Sequence, residues 1–523
     1  MRRKLINGLL INSTIMVQNR FDEITLPEEF KDIYDKEDGL KRFRLFIGGK
    51  WVKPKSNKYF SVKSPSTRKV LAEASLGSRE EALQAVSEAL YSQNKIRNLA
   101  AIDRIEVLEE ASKLITRYEE TLVNILVAEA GKPLAYARGE VRAAKERMRL
   151  TLEEARKIYG EYIPGDWVDD TRNKFAIVLR QPVGIVTTIT PFNYPLFSPV
   201  AKIAPALVSG NCVIHKPASD TPIVSLILAR ILQAAGLPEG VLNVVTGPGG
   251  EVGDTLISDP RIGAVSFTGS TEVGSKIPVK AGMKKLHLEL GGKAAAIVLE
   301  DADLDLAAEK ITLGVVKNSG QRCDAISRAL VVKEIADELV DRLEDRFRKV
   351  RFGYPWEENI QVGPLINERA LNHVAELVED AVSKKAVLLA GGKSHGLIYE
   401  PTLLDHVPLE ARVAWEETFG PVLPVIRVRD EEEAIEVSNR SNLGLDSAVF
   451  TNSFYRMWRI AKALQVGTVS VNDAPAHGVG NFPFGGVKDS GMGREGLGYS
   501  IDEMTVLKTI SVNLEPSGIR KGR

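Results

Sequence analysis

The chain has 523 residues, 44% hydrophobic and 26% charged, and its 69 basic side chains balance 69 acidic ones. That length excludes a single small core and predicts about two or three domains. Charge balance excludes the basic excess that a nucleic-acid or membrane-surface partner needs, and two cysteines exclude a disulfide framework and point to a reducing, cytoplasmic setting.

Met1-Arg-Arg-Lys4 followed by an apolar run to Asn12 mimics the start of a signal peptide. Asn7 interrupts the run, and no small-residue cleavage site follows, so the segment reads as a cytosolic extension with Met16 as an alternative start. No later stretch carries about 18 uninterrupted apolar residues, so no membrane span is expected. Phe46-Ile-Gly-Gly-Lys-Trp-Val52 predicts strand residues around a tight Gly-Gly turn. Apolar residues at helical spacing predict helices over 80–98 and 103–130, the second stopped by Gly131-Lys-Pro133. A charge-rich helix is expected over 140–158, with Arg147 and Arg149 as candidate entrance residues.

Beyond Pro164-Gly-Asp-Trp167, β-rich apolar runs alternate with helical stretches. Strands are expected at 184–189, 212–215, 242–245, 264–267 and 294–299, with a helix over 221–235 and a second alternating series from about 328 to 475. Alternation of this kind implies parallel sheets covered by helices, an α/β class. The tail 509–514 alternates with period two and predicts a strand with one covered face, paired outside its own domain. The six histidines are scattered, with none at zinc-ligand spacing, so no metal is expected.

The chemistry centres on Gly320-Gln-Arg-Cys323. Glycine gives a close approach to the thiol, and the cation of Arg322 beside Cys323 would favour the reactive thiolate. The plain alternative for Cys323 is a small buried hydrophobe. Strand 212–215 runs into Lys216-Pro-Ala-Ser-Asp220, which places a lysine where a ribose or phosphate would sit. Strand 264–267 runs into Thr268-Gly-Ser-Thr-Glu-Val-Gly274, a turn in which Gly269 and Ser270 open a helix suited to a pyrophosphate. Ser219 stands where a carboxylate would hold a free 2′-hydroxyl, which favours NADP; Asp220 one residue later keeps NAD open. Glu289, between two leucines and before Gly291-Gly292, is a candidate general base with an elevated pKa; a surface glutamate is the alternative. Asn193, in Pro191-Phe-Asn-Tyr-Pro195, offers an oxyanion N–H donor or an ordinary turn asparagine.

Together with Glu417-Thr-Phe-Gly-Pro421 and Pro483-Phe-Gly-Gly-Val-Lys-Asp-Ser-Gly491, these motifs stand in the order seen in the aldehyde dehydrogenase superfamily, from about residue 45 to residue 515. The combination resembles the archaeal-type non-phosphorylating glyceraldehyde-3-phosphate dehydrogenase branch. The resemblance implies a Rossmann-like cofactor domain over 42–162 and 183–291, and an α/β catalytic domain over 292–490. A small β oligomerisation extension over 163–182 and 491–523 would assemble a dimer or tetramer, with 1–41 as an N-terminal extension. It implies Cys323 as nucleophile, Asn193 with the Cys323 N–H as oxyanion hole, and Glu289 as base. Lys216 and Ser270 would bind the adenosine ribose and pyrophosphate, and Glu417 and Phe419 the nicotinamide ribose and ring.

A phosphorylated aldehyde needs cations and donors near the sulfur, for which Arg322, Tyr194 and His477 are the candidates. The implied reaction is irreversible oxidation of D-glyceraldehyde 3-phosphate to 3-phosphoglycerate through a thioester hydrolysed by water. A carboxylated semialdehyde, of the succinate or methylmalonate type, is the alternative, because Arg322 can also pair with a carboxylate. A non-catalytic binding protein would not need Cys323, Glu289 and Asn193 together, and a cysteine hydrolase would call for an activating histidine in these motifs.

Overall fold

The computed structural model describes Phe21 and residues 23–514. The leader-like start, Met16 and residues 515–523 of the expected extension lie outside the described residues. Five parallel strands form the centre of the first sheet: Ile185–Ile189, Cys212–Lys216, Leu242–Val244, Ala264–Thr268 and Lys285–Glu289. In space the fifth, fourth, first, second and third follow one another. The chain therefore grows outward from Ile185–Ile189 in one direction, then returns to its other side. A crevice opens at the carboxyl ends where such an order reverses. Pairing sets Lys216 against Ile189 and Thr268 against Glu289, so the residues at that rim come from adjacent strand ends.

The hairpin Leu45–Ile47 and Lys50–Val52 extends one side of this sheet, turning through Gly48 and Gly49 at φ 63° and 82°. Gly491–Met492 pairs antiparallel on the other side, against Leu288 and Glu289. The boundary expected at 491 thus falls within the first sheet's unit. A second sheet of seven strands runs in the order Val387–Ala390, Thr402–Asp405, Val422–Val428, Ile326–Val332, Ala294–Val298, Asp446–Phe450, Thr468–Val471. All its pairings are parallel except at the first strand. The central strands of both sheets are buried on both faces, which is why they read as near-continuous apolar runs.

The helices differ from the sequence expectation at their ends. Arg79–Arg97 starts on a Ser78/Glu81 capping box. The long helix expected over 103–130 is two, Ala101–Arg117 and Glu119–Ala130, broken at Tyr118 where φ is −101° and ψ 19°. Gly131 ends the second in the left-handed conformation, as its sequence suggests. Leu134–Ala155 begins directly after Pro133, six residues before the expected start, because proline suits a helix entrance as well as an exit. Thr505–Asn513 pairs antiparallel with Lys174–Pro182, which also pairs with Glu161–Pro164. Its residues 506–511 are exposed, so the covered face expected of this strand is not supplied by the described residues. Among the described residues no helix is long and apolar enough to cross a membrane.

Candidate active site

A cavity of about 1300 Å³ lies at the carboxyl ends of the first sheet and reaches the loop carrying Cys323. The candidate catalytic, cofactor and substrate residues all line it: Cys323, Glu289 and Asn193; Lys216, Ser219, Gly269, Ser270, Glu417 and Phe419; Tyr194, Arg322 and His477. Among the described residues no cluster of histidine, cysteine and carboxylate side chains is arranged to hold a metal.

Cys323 follows helix Leu304–Val316 through a tight bend. Asn318, Ser319 and Gly320 are successively left-handed, with φ of 54°, 58° and 71°. Two non-glycine residues in that region mark stored strain, held here by surrounding contacts. The Ser319 hydroxyl donates to the Gly363 carbonyl at 3.1 Å and accepts from the Gly363 N–H at 2.9 Å. At Gly320 a Cβ would stand 2.2 Å from the Gly420 carbonyl oxygen, so glycine is needed for close packing as well as for φ.

Arg322 couples to Cys323 as its place in the sequence suggests, but Asp324 couples to the same guanidinium more strongly. Its guanidinium faces Asp324 Oδ1 at 3.0 Å and donates to the carbonyls of Asp324 and Pro475. Burial pushes the Cys323 thiol well above its ordinary range, and the acidic Asp324, Asp446, Glu417 and Glu289 add to this. At rest the thiol is protonated.

Asn193 lies in the loop between Ile185–Ile189 and the helix Phe197–Val208. One amide N–H donates to the Gln321 carbonyl at 2.9 Å, leaving the second for an oxyanion. Two residues that sequence reasoning passed over fix this loop. The buried Lys132 ammonium pairs with buried Glu140, donates to the Asn193 carbonyl at 2.7 Å, and lies 4.0 Å above the Tyr194 ring. Glu140 Oε1 accepts from the N–H groups of Leu196 and Phe197 at 2.9 and 3.1 Å. Lys132 carries little signal in sequence, because Gly131 and Pro133 on either side of it read as a helix stop.

Glu289 ends its strand 3% exposed. Burial, reinforced by Glu495, raises its carboxyl well above the usual range, so the surface alternative is excluded. Glu417 Oε1 accepts from the Gly292 N–H at 3.0 Å, and burial pushes its carboxyl up to about 7. Phe419 adopts a left-handed φ of 51° and meets Phe192 edge-on at 5.8 Å.

The cofactor end has the chemistry a nucleotide needs. Lys216 is 5% exposed and among the described residues reaches only the Pro217 carbonyl at 3.1 Å, with no carboxylate partner; burial lowers it to about 8. A buried ammonium in that state fits a ribose or phosphate oxygen. The Ser270 hydroxyl caps the short helix Thr271–Gly274 as an acceptor, which leaves its own O–H to donate. Ser219 is turned to the Gly247 carbonyl, and Asp220 accepts from Asn367 at 3.3 Å.

At the opposite end the entrance residues differ from those expected. Arg147 is buried and donates to the Ser500 hydroxyl at 2.8 Å, while Arg149 pairs with Glu146 and Glu153 outside the cavity. His477 holds its Nε2 3.3 Å from Glu495 Oε1 without a hydrogen bond, and its ring packs edge-on against Phe484 and Phe197. Lys317 and Arg142 line the cavity instead, and among the described residues neither has a hydrogen bond or ion pair. Lys317 carried a sequence signal, lying six residues before Cys323; Arg142 sits on a helix face that reads as solvated.

A doubly wound sheet facing a second α/β unit, with cysteine, amide and buried carboxylate lining one cavity beside a nucleotide-sized crevice, fits an oxidoreductase of the dehydrogenase class. The chain belongs to the aldehyde dehydrogenase family, whose model matches residues 51–510. It is 42% identical over 470 residues to the NADP-dependent glyceraldehyde-3-phosphate dehydrogenase of Streptococcus equinus, covering 90% of this chain and 98% of that one. It is 38% identical over 516 residues to the mitochondrial succinate-semialdehyde dehydrogenase of Arabidopsis thaliana, covering 97% and 96%. The crystal structure of NADP-dependent glyceraldehyde-3-phosphate dehydrogenase from Bacillus halodurans C-125, complexed with NADP, superposes with a TM-score of 0.89 at 39% identity. That match covers 90% of this chain and 99% of the other.

Proposed function

We propose that this enzyme oxidises D-glyceraldehyde 3-phosphate to 3-phosphoglycerate with NADP and without phosphorylation. The observation that carries the chemistry is the convergence of Cys323, Asn193 and Glu289 on one cavity whose other end holds Lys216, which has no carboxylate partner among the described residues. Once its proton has passed to solvent through the cavity, Cys323 attacks the aldehyde carbon as the thiolate. The second amide N–H of Asn193 and the Cys323 N–H hold the oxyanion; one such donor typically contributes about 10²–10³ in rate. When bound, a nicotinamide nucleotide supplies the hydride acceptor that leaves a thioester on Cys323. Glu289 takes a proton from water, which attacks the thioester and frees the acid. Water as acyl acceptor makes the step irreversible and yields no acyl phosphate.

Lys216 and Ser270 hold the adenosine side, and Glu417 and Phe419 the nicotinamide side. Ser219, neutral beside Lys216, tolerates a 2′-phosphate, consistent with the NADP-dependent relatives. Lys317 and Arg142, both unpaired among the described residues, supply positive charge for the substrate's phosphate at the far end, while Tyr194 borders the reacting carbon. Arg322 shapes the floor through Asp324. A carboxylated semialdehyde is the second reading, favoured by the Arabidopsis relative and by the same free cations.

We read 42–162 and 183–291 as the cofactor unit, with Gly491–Met492 added to its sheet, and 292–490 as the catalytic unit. The three-stranded sheet is the oligomerisation element of a cytosolic dimer or tetramer, its exposed strand being the face a second copy would cover. The test is nucleotide reduction by purified protein with NADP and D-glyceraldehyde 3-phosphate, phosphate omitted. Rapid reduction is expected. No reduction there, but turnover of succinate or methylmalonate semialdehyde, selects the second reading.

A further inference from the structure

Strands Ala264–Thr268 and Lys285–Glu289 pair in parallel with Ser266 opposite His287. Side chains two apart on a strand share a face, so His287 and Glu289 point the same way. His287 is 4% exposed; its Nδ1 lies 2.9 Å from the Ser266 hydroxyl and its Nε2 3.1 Å from Glu289 Oε1. The loop beyond closes over both groups. A Cβ at Gly485 would stand 2.9 Å from Glu289 Oε1, and one at Gly493 would stand 3.3 Å from His287 Cδ2. Glu289 Oε2, by contrast, is buried with no hydrogen-bond partner among the described residues, in a side chain that lines the cavity.

We propose that Ser266 and His287 form a fixed chain of donors that positions Glu289 for thioester hydrolysis, holding Oε1 and presenting Oε2 to the attacking water. The inference rests on Glu289 being the base. Its logic is in the hydrogens. The Ser266 O–H donates to Nδ1, which places the imidazole proton on Nε2, and Nε2–H donates to Oε1. When water adds to the thioester carbon its proton passes to Oε2, the C–S bond breaks and the Cys323 thiolate leaves. Oε1 is then the carbonyl oxygen of a neutral carboxyl and still accepts from Nε2–H. One tautomer therefore serves the base before and after it takes the proton, and no side chain must rotate.

Burial keeps His287 neutral, lowering it to about 3, so it acts as donor and not as a second acid. The charged and titratable groups facing the pair are Lys202, Glu495, Arg494, Asp446, Arg147, His477 and Cys323. A donor hydrogen bond favours the ionised carboxylate, so its loss must shift the hydrolytic step to higher pH.

The test is single-turnover and steady-state kinetics of His287→Leu, His287→Gln, Ser266→Ala and Glu289→Gln with NADP and D-glyceraldehyde 3-phosphate, or the semialdehyde that the enzyme turns over. In His287→Leu the burst of reduced nucleotide is retained. The steady phase falls about tenfold or more at neutrality, its pH dependence moves to more alkaline values, and acyl-enzyme accumulates by mass spectrometry. His287→Gln, which restores an N–H donor, recovers part of the rate, and Ser266→Ala shows a smaller alkaline shift. An unchanged steady phase and pH profile in His287→Leu would overturn the proposal, as would loss of the burst and of nucleotide binding together, which marks a purely structural role. A Glu289→Gln variant that hydrolyses its thioester normally refutes instead the assignment of Glu289 as base.

Discussion

Lys132→Met tests whether the oxyanion loop is held from behind by a buried ion pair. Lys132 and Glu140 side chains are 1% and 0% exposed. Methionine keeps the length and apolar stem but removes the charge, its bond to the Asn193 carbonyl, and its seat above Tyr194. Removing one partner of a buried pair typically costs ~3–5 kcal/mol. Glu140 retains two backbone N–H donors from Leu196 and Phe197, which partly satisfy the stranded carboxylate. The lower end, ~3 kcal/mol, is therefore expected. Hydrogen exchange should rise over 191–200, and turnover should fall about 10²-fold as Asn193 loses its anchor, the scale of losing an oxyanion donor. Nucleotide binding, at the far end of the cavity, should hold. Adding Glu140→Gln removes the stranded charge and should restore at least ~1 kcal/mol of stability. Urea unfolding and exchange mass spectrometry read the stability side, and single-turnover nucleotide reduction reads the catalytic side. Wild-type exchange and turnover in Lys132→Met, or a double variant less stable than the single, would refute this account.

The raised thiol of Cys323 predicts slow alkylation by iodoacetamide at neutrality in the nucleotide-free enzyme. The thiolate is the reacting form and appears only as pH rises through an elevated pKa, so the alkylation rate should climb steeply into the alkaline range; a flat profile around neutrality contradicts a protonated resting thiol. Ser219→Glu places a carboxylate beside the expected 2′-phosphate. It should weaken NADP by about 10–100-fold while sparing NAD, as measured by the ratio of kcat/KM for the two nucleotides. Lys317→Ala and Arg142→Ala should each raise KM for the phosphorylated aldehyde by about tenfold and leave an uncharged aldehyde unaffected; equal losses on both would remove these residues from anion recognition. Cys323→Ala should abolish oxidation with nucleotide binding intact, measured by fluorescence titration.

Local chemistry was legible from residue order alone. Strand ends bearing Lys216 and Glu289, the tight turns at Gly48-Gly49 and Gly131, and the cysteine approach through Gly320 each follow from backbone rules acting over a few residues. So does the alternation that places them on parallel sheets. Partner choice was not legible, because a side chain's charge state and availability depend on what the fold brings against it. Arg322 is adjacent to Cys323 in the chain, yet faces Asp324 and the Pro475 carbonyl. Arg147 looks like an entrance cation and is consumed by Ser500, across 353 residues of chain. Lys132 reads as a helix-stop residue and turns out to hold the Asn193 loop, while Glu289 becomes a buried carboxyl with a raised pKa only when Gly485 and Gly491 close over its strand end. Sequence alone determines which groups stand at the ends of which strands, through short-range geometry. The tertiary structure decides which of them are desolvated and which already have partners, because burial and long-range pairing set the protonation and the free valences on which the chemistry depends.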